Sequence, residues 1–335
     1  MKTRVFITID TEFSIAGTFA DPVGRRPVGP QSVLCDVGGR SQGLGFLLET
    51  FSRFGIAATF FVEAFNSYYF GDEPMRGLAL RIKAAGHDVQ LHLHPCWTYF
   101  RNADWVERLK IDPPTDHMHG RSLAVTAQWL SEGIAIFERW GLGRPVALRT
   151  GNLMADTNVY RAMEQAGILI GSNIGLAIHR PAEAELQLFS GFHRVGGVTE
   201  ACVLTYVDFA IGRRTHYKSL TITGSSWQEI RTLLQRAREA NVPSVVILTH
   251  PFEFVRRRDR AAAELEPNAL NQRRLARLCE FLRAHPDQFE AATIGSLAPS
   301  LAQLPTGTNA VLSVPAARTV QRFVQNAINS GIATL

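Results

Sequence analysis

Short apolar runs recur along the chain, and most are followed by stretches with helical periodicity. Val5–Ile9, Ala58–Val62, Val89–His94, Val146–Leu148, Ile168–Ile170, Val203–Val207, Val245–Leu248 and Ala291–Ile294 read as strands of four to eight residues or shorter. Between them, apolar residues recur at helical spacing over Leu44–Phe54, Leu78–Ala85, Ser122–Trp140, Asp156–Ala166, Ser226–Ala240 and Asn271–Ala284. Gly55, Gly86, Gly141 and Gly167 stand where four of these helices must stop, and Ser226 with Glu229 has capping-box spacing. Strands alternating with crossover helices predict a parallel sheet, hence an α/β fold. Residues 17–43 form a long Gly/Pro-rich connection of the kind found beside active sites. Residues 101–119 read as an irregular polar loop, and Val320–Ile328 as a terminal helix that packs on the fold or mediates self-association.

The polar positions next to these runs carry the chemistry. In Gly86-His87-Asp88-Val89-Gln90-Leu91-His92-Leu93-His94-Pro95, strand alternation places Gln90, His92 and His94 on one face, with Leu91 and Leu93 on the other. Asp10 and Glu12 repeat this two-residue spacing at the end of the first run. Arg149 and His250 end two further strands. In a parallel β/α barrel the strand C-termini open onto the catalytic face, so four such ends point to one site. Unpartnered buried charges are too costly to recur by accident.

Composition narrows the picture modestly. The 335 residues are 46% hydrophobic and 19% charged, with formal charge +5. No basic stripe interleaved with aromatics argues for nucleic acid. Arg256, Arg257, Arg258 and Arg260 form a local basic cluster, best read as a solvated face, with an anionic substrate as the alternative. Cys35, Cys96, Cys202 and Cys279 show no C-x-x-C pair, which suits a reducing compartment. No signal-peptide pattern and no apolar run of the ~20 residues a membrane span needs are present, so the expectation is a cytoplasmic protein.

These motifs resemble, over roughly residues 4–297, the polysaccharide deacetylase (NodB-homology, carbohydrate esterase type) superfamily. Thr8-Ile9-Asp10-Thr11-Glu12 is similar to its opening acidic motif, and Ala58-Thr59-Phe60-Phe61-Val62 to its second strand. Gly86-His87-Asp88-Val89-Gln90-Leu91-His92 resembles its Gly-His-Glu-Ile-Gly-x-His segment, Leu148-Arg149-Thr150-Gly151-Asn152 its Arg-x-Pro motif, and Leu248-Thr249-His250 its closing Leu-x-His. The Asp-Thr-Glu and His-Leu-His-Pro forms look most like the branch found in surface-polysaccharide biosynthesis clusters.

The resemblance implies an irregular, distorted (β/α) barrel of about seven parallel strands over residues 1–298, with a C-terminal extension over 299–335. It implies a metal-dependent amide hydrolase that takes an N-acyl, chiefly N-acetyl, group from an amino sugar or a sugar-containing precursor. Asp10 matches the catalytic base, Arg149 the residue that orients it, and His250 the general acid. Glu12 and His92 match ligands of a divalent metal, Zn2+ being favoured. The usual second histidine, four residues on, falls on Cys96; strand geometry favours His94, and Cys96 stays the alternative because a thiolate also binds zinc. Gly151 replaces the usual proline and is expected to loosen its loop. The motif that usually tunes the acid has no counterpart before Trp227, so the partner of His250 is unassigned.

In the implied reaction the metal's open position takes water and the amide carbonyl, Asp10 removes a proton, and His250 protonates the departing amine. The Asn152 backbone N–H is a candidate oxyanion donor. Glu63 and Trp97 are further substrate-contact candidates, Trp97 by stacking on a sugar ring. His87 reads as structural, and His117 and His119 as a solvated loop. A cyclic-amide hydrolase of the same superfamily and an inactive carbohydrate-binding homologue are the alternatives.

Overall fold

A computed structural model describes residues 2–212, 214–257 and 264–332. In chain order its main strands are β1 (Thr3–Thr11), β2 (Thr59–Glu63), β3 (Asp88–Leu93), β4 (Ala147–Thr150), β5 (Ile170–Gly171), β6 (Phe192–Val195), β7 (Val198–Ala201), β8 (Thr205–Ile211), β9 (Arg214–Ser219), β10 (Ser244–Thr249), β11 (Phe289–Ala291) and β12 (Leu312–Ser313). The principal helices are α1 (Leu44–Phe54), α2 (Glu73–Ala84), α3 (Leu123–Arg139), α4 (Thr157–Ala166), α5 (Trp227–Glu239), α6 (Ala269–Ala284) and α7 (Ala316–Ile332). The expected α/β alternation is therefore present. Gly55 and Gly167 adopt left-handed geometry after α1 and α4, and Ser226 and Glu229 form the capping box of α5.

The sheet runs β10-β1-β2-β3-β4-β5-β7-β6, with β11 also paired to β1. All pairs are parallel except β6–β7. Among the described residues it thus has nine strands where about seven were expected. The unexpected members are β6 and β7, a hairpin that folds back through Gly196 at φ 57°, while the short β11, which pairs with the first residues of β1, stands near the closing strand expected at 291–294. The expected strand 203–207 lies later, as β8, in a separate sheet of order β9-β8-β12. The sheet curls, and isolated bridges Val203–Val246 and Thr221–Leu248 return the chain beyond β7 to the outer edge of β10. Closure by single bridges rather than a full ladder makes the barrel irregular.

Alternation sorts the side chains. Val5, Ile7, Ile9, Leu91, Leu93, Val245 and Ile247 pack outward beneath the helices. Phe6, Phe61, Ala147, Val246 and Leu248 fill the interior with Ile294 and Leu297. Because the period is two, every second residue further along β1, β3, β4 and β10 continues the interior face towards the strand C-termini. Asp10, His92, Arg149 and His250 occupy these positions.

Residues 299–332 are tied to the same body. β12 pairs with β8, α7 packs on β8 and α5, and buried Arg322 donates from Nη2 to Asp208 Oδ2 at 2.8 Å. Val320, Phe323, Val324 and Ile328 leave an exposed apolar stripe on α7. Among the described residues no helix is long and apolar enough to cross a membrane. All four cysteines are buried and unpaired. In the basic cluster Arg256 pairs with Glu266 at 2.6 Å, while Arg258 and Arg260 lie outside the described residues.

Candidate metal centre and catalytic site

Parallel pairing aligns Glu63, His92 and Arg149 in one row across β2, β3 and β4. Beyond that row, the ends of β1, β3 and β10 bring Glu12, His92, His94, Asp10 and His250 around one small cavity of 110 Å³. Glu12 Oε2 lies 3.2 Å from His92 Nε2 and 2.7 Å from His94 Nε2. The three donor atoms all lie within 4.8 Å of one another, as a shared ion requires. Each imidazole is aimed by its other nitrogen: His92 Nδ1–H donates to the Arg149 carbonyl at 2.8 Å, and His94 Nδ1–H to Asp116 Oδ2 at 2.7 Å. Such partners fix the tautomer and leave Nε2 free to ligate, so one carboxylate and two imidazoles here fit a divalent ion.

The electrostatics agree with this grouping. Burial would raise the Glu12 carboxyl, but His94 and His92 hold it well below the usual carboxylate range. Burial would lower His94, yet Glu12 and Asp116 hold it well above the usual imidazole value. An ion would therefore displace a proton from His94. Cys96 belongs to a different trio, with His94 and Asp116. Its thiol is pushed well up, first by burial and then by Asp116, which disfavours the thiolate that zinc would need.

Asp10 and Arg149 form the second unit. The fully buried Arg149 donates from Nη1 to Asp10 Oδ1 at 2.8 Å and Thr8 Oγ1 at 2.9 Å. It also donates from Nε to the Ser172 carbonyl at 2.9 Å and from Nη2 to Ser172 Oγ at 2.6 Å. Its guanidinium lies over the Phe61 ring at 4.3 Å. A fork held at this many points fixes the carboxylate it touches. The other oxygen of Asp10 lies 3.9 Å from His250 Nε2. His250 Nδ1–H donates to Glu253 Oε1 at 3.1 Å, and Thr249 Oγ1 donates to Glu253 Oε2 at 2.6 Å. Burial lowers the His250 pKa, but Glu253, then Asp10 and Glu12, outweigh it and raise it to about 9. Glu253 thus fills the vacant place of His250's partner. It was legible as a carboxylate three residues after the histidine, on the short turn begun by Pro251.

The loop after β4 supplies the other wall. Asn152 and Leu153 are both left-handed, at φ 56° and 53°. This costs of order 1–3 kcal/mol for a residue such as Leu. The bend carries Asn152 Nδ2 to the Asp116 carbonyl at 3.0 Å and to its Oδ2 at 3.2 Å. Gly151 is where this loop passes against His94. A Cβ there would fall 2.7 Å from His94 Nδ1 and 2.8 Å from Cε1, so the missing side chain is the space the imidazole occupies. With the His94 imidazole in this place, residue 151 has no room for a side chain.

Two of the substrate-contact candidates are buried. Glu63 is fully buried, and its oxygens accept the backbone N–H groups of Phe65 at 2.8 Å, Asn66 at 2.5 Å and His94 at 3.2 Å. Burial raises it to about 7, against the pull of His94 and these donors. It braces the β2 turn and His94, and lines neither cavity of the site. Trp97 is only 1% exposed and packs against Phe70 and Phe100, so it backs the wall without offering a ring face. The exposed aromatic is Phe252, stacked on His250 with centroids 4.9 Å apart. Asp116 was missed because a loop without periodicity delivers it. A 450 Å³ groove bounded by Glu12, Phe13, His94, Trp97, Asp116, Asn152 and Phe252 adjoins the small cavity and has the size of a small-molecule site.

No family model matches the sequence, and no curated protein does. Among solved structures, the chain is similar to a protein of Mycobacterium smegmatis provisionally assigned as a polysaccharide deacetylase. The TM-score is 0.53 and the identity 17%, over 94% of this chain and 95% of that one, so the two share a fold. A family 4 carbohydrate esterase of Streptomyces lividans, solved with acetate, matches at TM-score 0.41 and 14% identity over 84% and 88% of the two chains. A family 4 pseudoenzyme of Bacillus anthracis matches at 0.43 and 12%, over 88% and 65%. The latter two likenesses are too loose to inform the site.

Proposed function

We propose that the chain is a metal-dependent amide hydrolase of the polysaccharide deacetylase superfamily, removing an N-acetyl or related N-acyl group from an amino sugar or sugar-containing precursor. One observation carries this reading. Three groups that could hold a metal ion, a carboxylate fixed by an arginine and a histidine paired with Glu253 surround a single 110 Å³ cavity at the strand C-termini.

Glu12, His92 and His94 would hold the ion, and their donor set suits Zn2+. Such an ion supplies Lewis-acid polarisation of the amide carbonyl and acidifies water. Asp10, with one oxygen tied to Arg149, uses the other to accept the proton of the attacking water. His250, protonated through neutral pH, delivers its Nε2 proton to the amide nitrogen as the C–N bond breaks. Glu253 holds the Nδ1–H and so presents Nε2. A backbone donor at Asn152 would add about 2.7–4 kcal/mol to stabilisation of the developing oxyanion. The adjoining groove has room for the sugar, with Phe252 rather than Trp97 as the stacking surface. The four unpaired buried cysteines suit the expected cytoplasmic setting.

The test is metal-loaded protein with N-acetylated amino sugars and their nucleotide- and lipid-linked forms. The expected result is acetate and free amine released in equal amounts, with Asp10→Asn losing activity while retaining metal. Ring opening of a cyclic amide without acetate would favour the alternative hydrolase. No hydrolysis, with Asp10→Asn altering only ligand binding, would favour an inactive sugar-binding protein.

A further inference from the structure

A second cavity, of 320 Å³, lies between α5, α6 and α7 and shares no lining residue with the site above. Arg273, Arg274 and Arg277 of α6 line it, with Trp227, Leu270 and Ile328 among the apolar walls. Among the described residues no carboxylate lines it.

Arg274 is 2% exposed. Its Nη1 donates to the Thr223 carbonyl at 2.7 Å and Asn271 Oδ1 at 3.2 Å, and its Nη2 to Asn326 Oδ1 at 2.8 Å. All these acceptors are neutral, and its Nε–H has no partner among the described residues. Burial draws its pKa down to about 10. The acids behind it do not balance it. Asp208 and Glu229 face Arg322, Lys218 and Arg274 together, and Asp208 also holds His216 at 2.5 Å. Arg273 and Arg277 then add two exposed guanidiniums one helical turn apart, without an ion pair among the described residues. The buried Gln228 Oε1 is also unpartnered. Turning that amide over would present an NH2 donor instead, an assignment set by the ligand.

We propose that this cavity binds the phosphate group of a small molecule. Guanidinium forks match phosphate oxygens, and a dianion balances the excess of positive charge better than a single carboxylate. Trp227, Leu270 and Ile328 offer apolar surface to the rest of the molecule. Because α7 forms one wall, an occupant joins the terminal helix to α5 and α6 and stabilises the fold by mass action.

The experiment uses the full chain, with thermal unfolding and calorimetric titration at constant ionic strength. The probes are inorganic phosphate, glycerol 1-phosphate, malonate and chloride. Saturable binding of the two phosphates, with a rise in unfolding temperature, is expected. The double variant Arg273→Gln/Arg277→Gln, altered only at exposed side chains, should weaken both effects at least tenfold, while Arg53→Gln should not. Malonate binding as tightly as phosphate, or a response equal to that of chloride, would overturn the assignment. So would phosphate binding that survives the double substitution, because the anion would then sit elsewhere, including at the Glu12 site.

Discussion

Gly151→Ala is the substitution that probes the metal centre most narrowly. Gly151 is not left-handed, so alanine meets no backbone penalty there. The new methyl would stand 2.7, 2.8 and 3.0 Å from Nδ1, Cε1 and Cγ of His94. Ordinary contact requires the ring to retreat by roughly 0.7 Å. It cannot do so freely, because Nδ1 is tied to Asp116 and the backbone N–H to Glu63. Metal–ligand distances tolerate about 0.2 Å, so Nε2 leaves its position. Disturbing a ligand's orientation costs about 10–100-fold in metal affinity, or ~1.4–2.8 kcal/mol. Competition with a fluorescent zinc chelator reads this directly. Thermal unfolding of the metal-free variant controls for the general cost of overpacking, about 1–3 kcal/mol. Unchanged zinc affinity in a folded Gly151→Ala protein would refute the role given to His94, and with it the link between Gly151 and that imidazole.

Further outcomes follow from the acid and the groove. Glu253 raises His250, whose protonated form persists as pH climbs towards about 9. Glu253→Gln should therefore move the alkaline limb of kcat/KM downwards, towards the ordinary imidazole value near ~6.5. A pH–rate profile in which the limb does not move would remove Glu253 from the account. Phe252→Ala should raise KM for a sugar amide by about 2–10-fold with little change in kcat, as expected for lost stacking worth ~0.5–1.5 kcal/mol. An equal fall in kcat and kcat/KM would instead mean that Phe252 acts by holding His250.

Much of the site was legible because strand alternation is a strict rule. Once Val89–His94 is a strand, Gln90, His92 and His94 share a face, and the same period places Asp10 and Glu12 together. Helix ends were legible wherever a local interaction sets them, as at Ser226 with Glu229 and at Gly55. What escaped depends on tertiary contacts. Glu63 stands at a strand end as Asp10 and Arg149 do, yet three backbone donors turn its carboxylate into a brace. Asp116 reaches His94 from a segment with no periodicity. The hairpin of β6 and β7 was missed because its residues lack a long apolar run. The closing strand was placed at 291–294, but β11 ends at Ala291 and Ile294 turns into the barrel interior.

The central claim is a metal centre built from Glu12, His92 and His94 beside Asp10. It is tested most directly by a crystal structure of the zinc-loaded protein, with anomalous scattering at the zinc edge. The account predicts one ion with Glu12 oxygen and the Nε2 atoms of His92 and His94 at about 2.0–2.2 Å, and Cys96 uncoordinated. An ion bound through Cys96 and Asp116 away from Glu12, or no ion at this cavity, would contradict it.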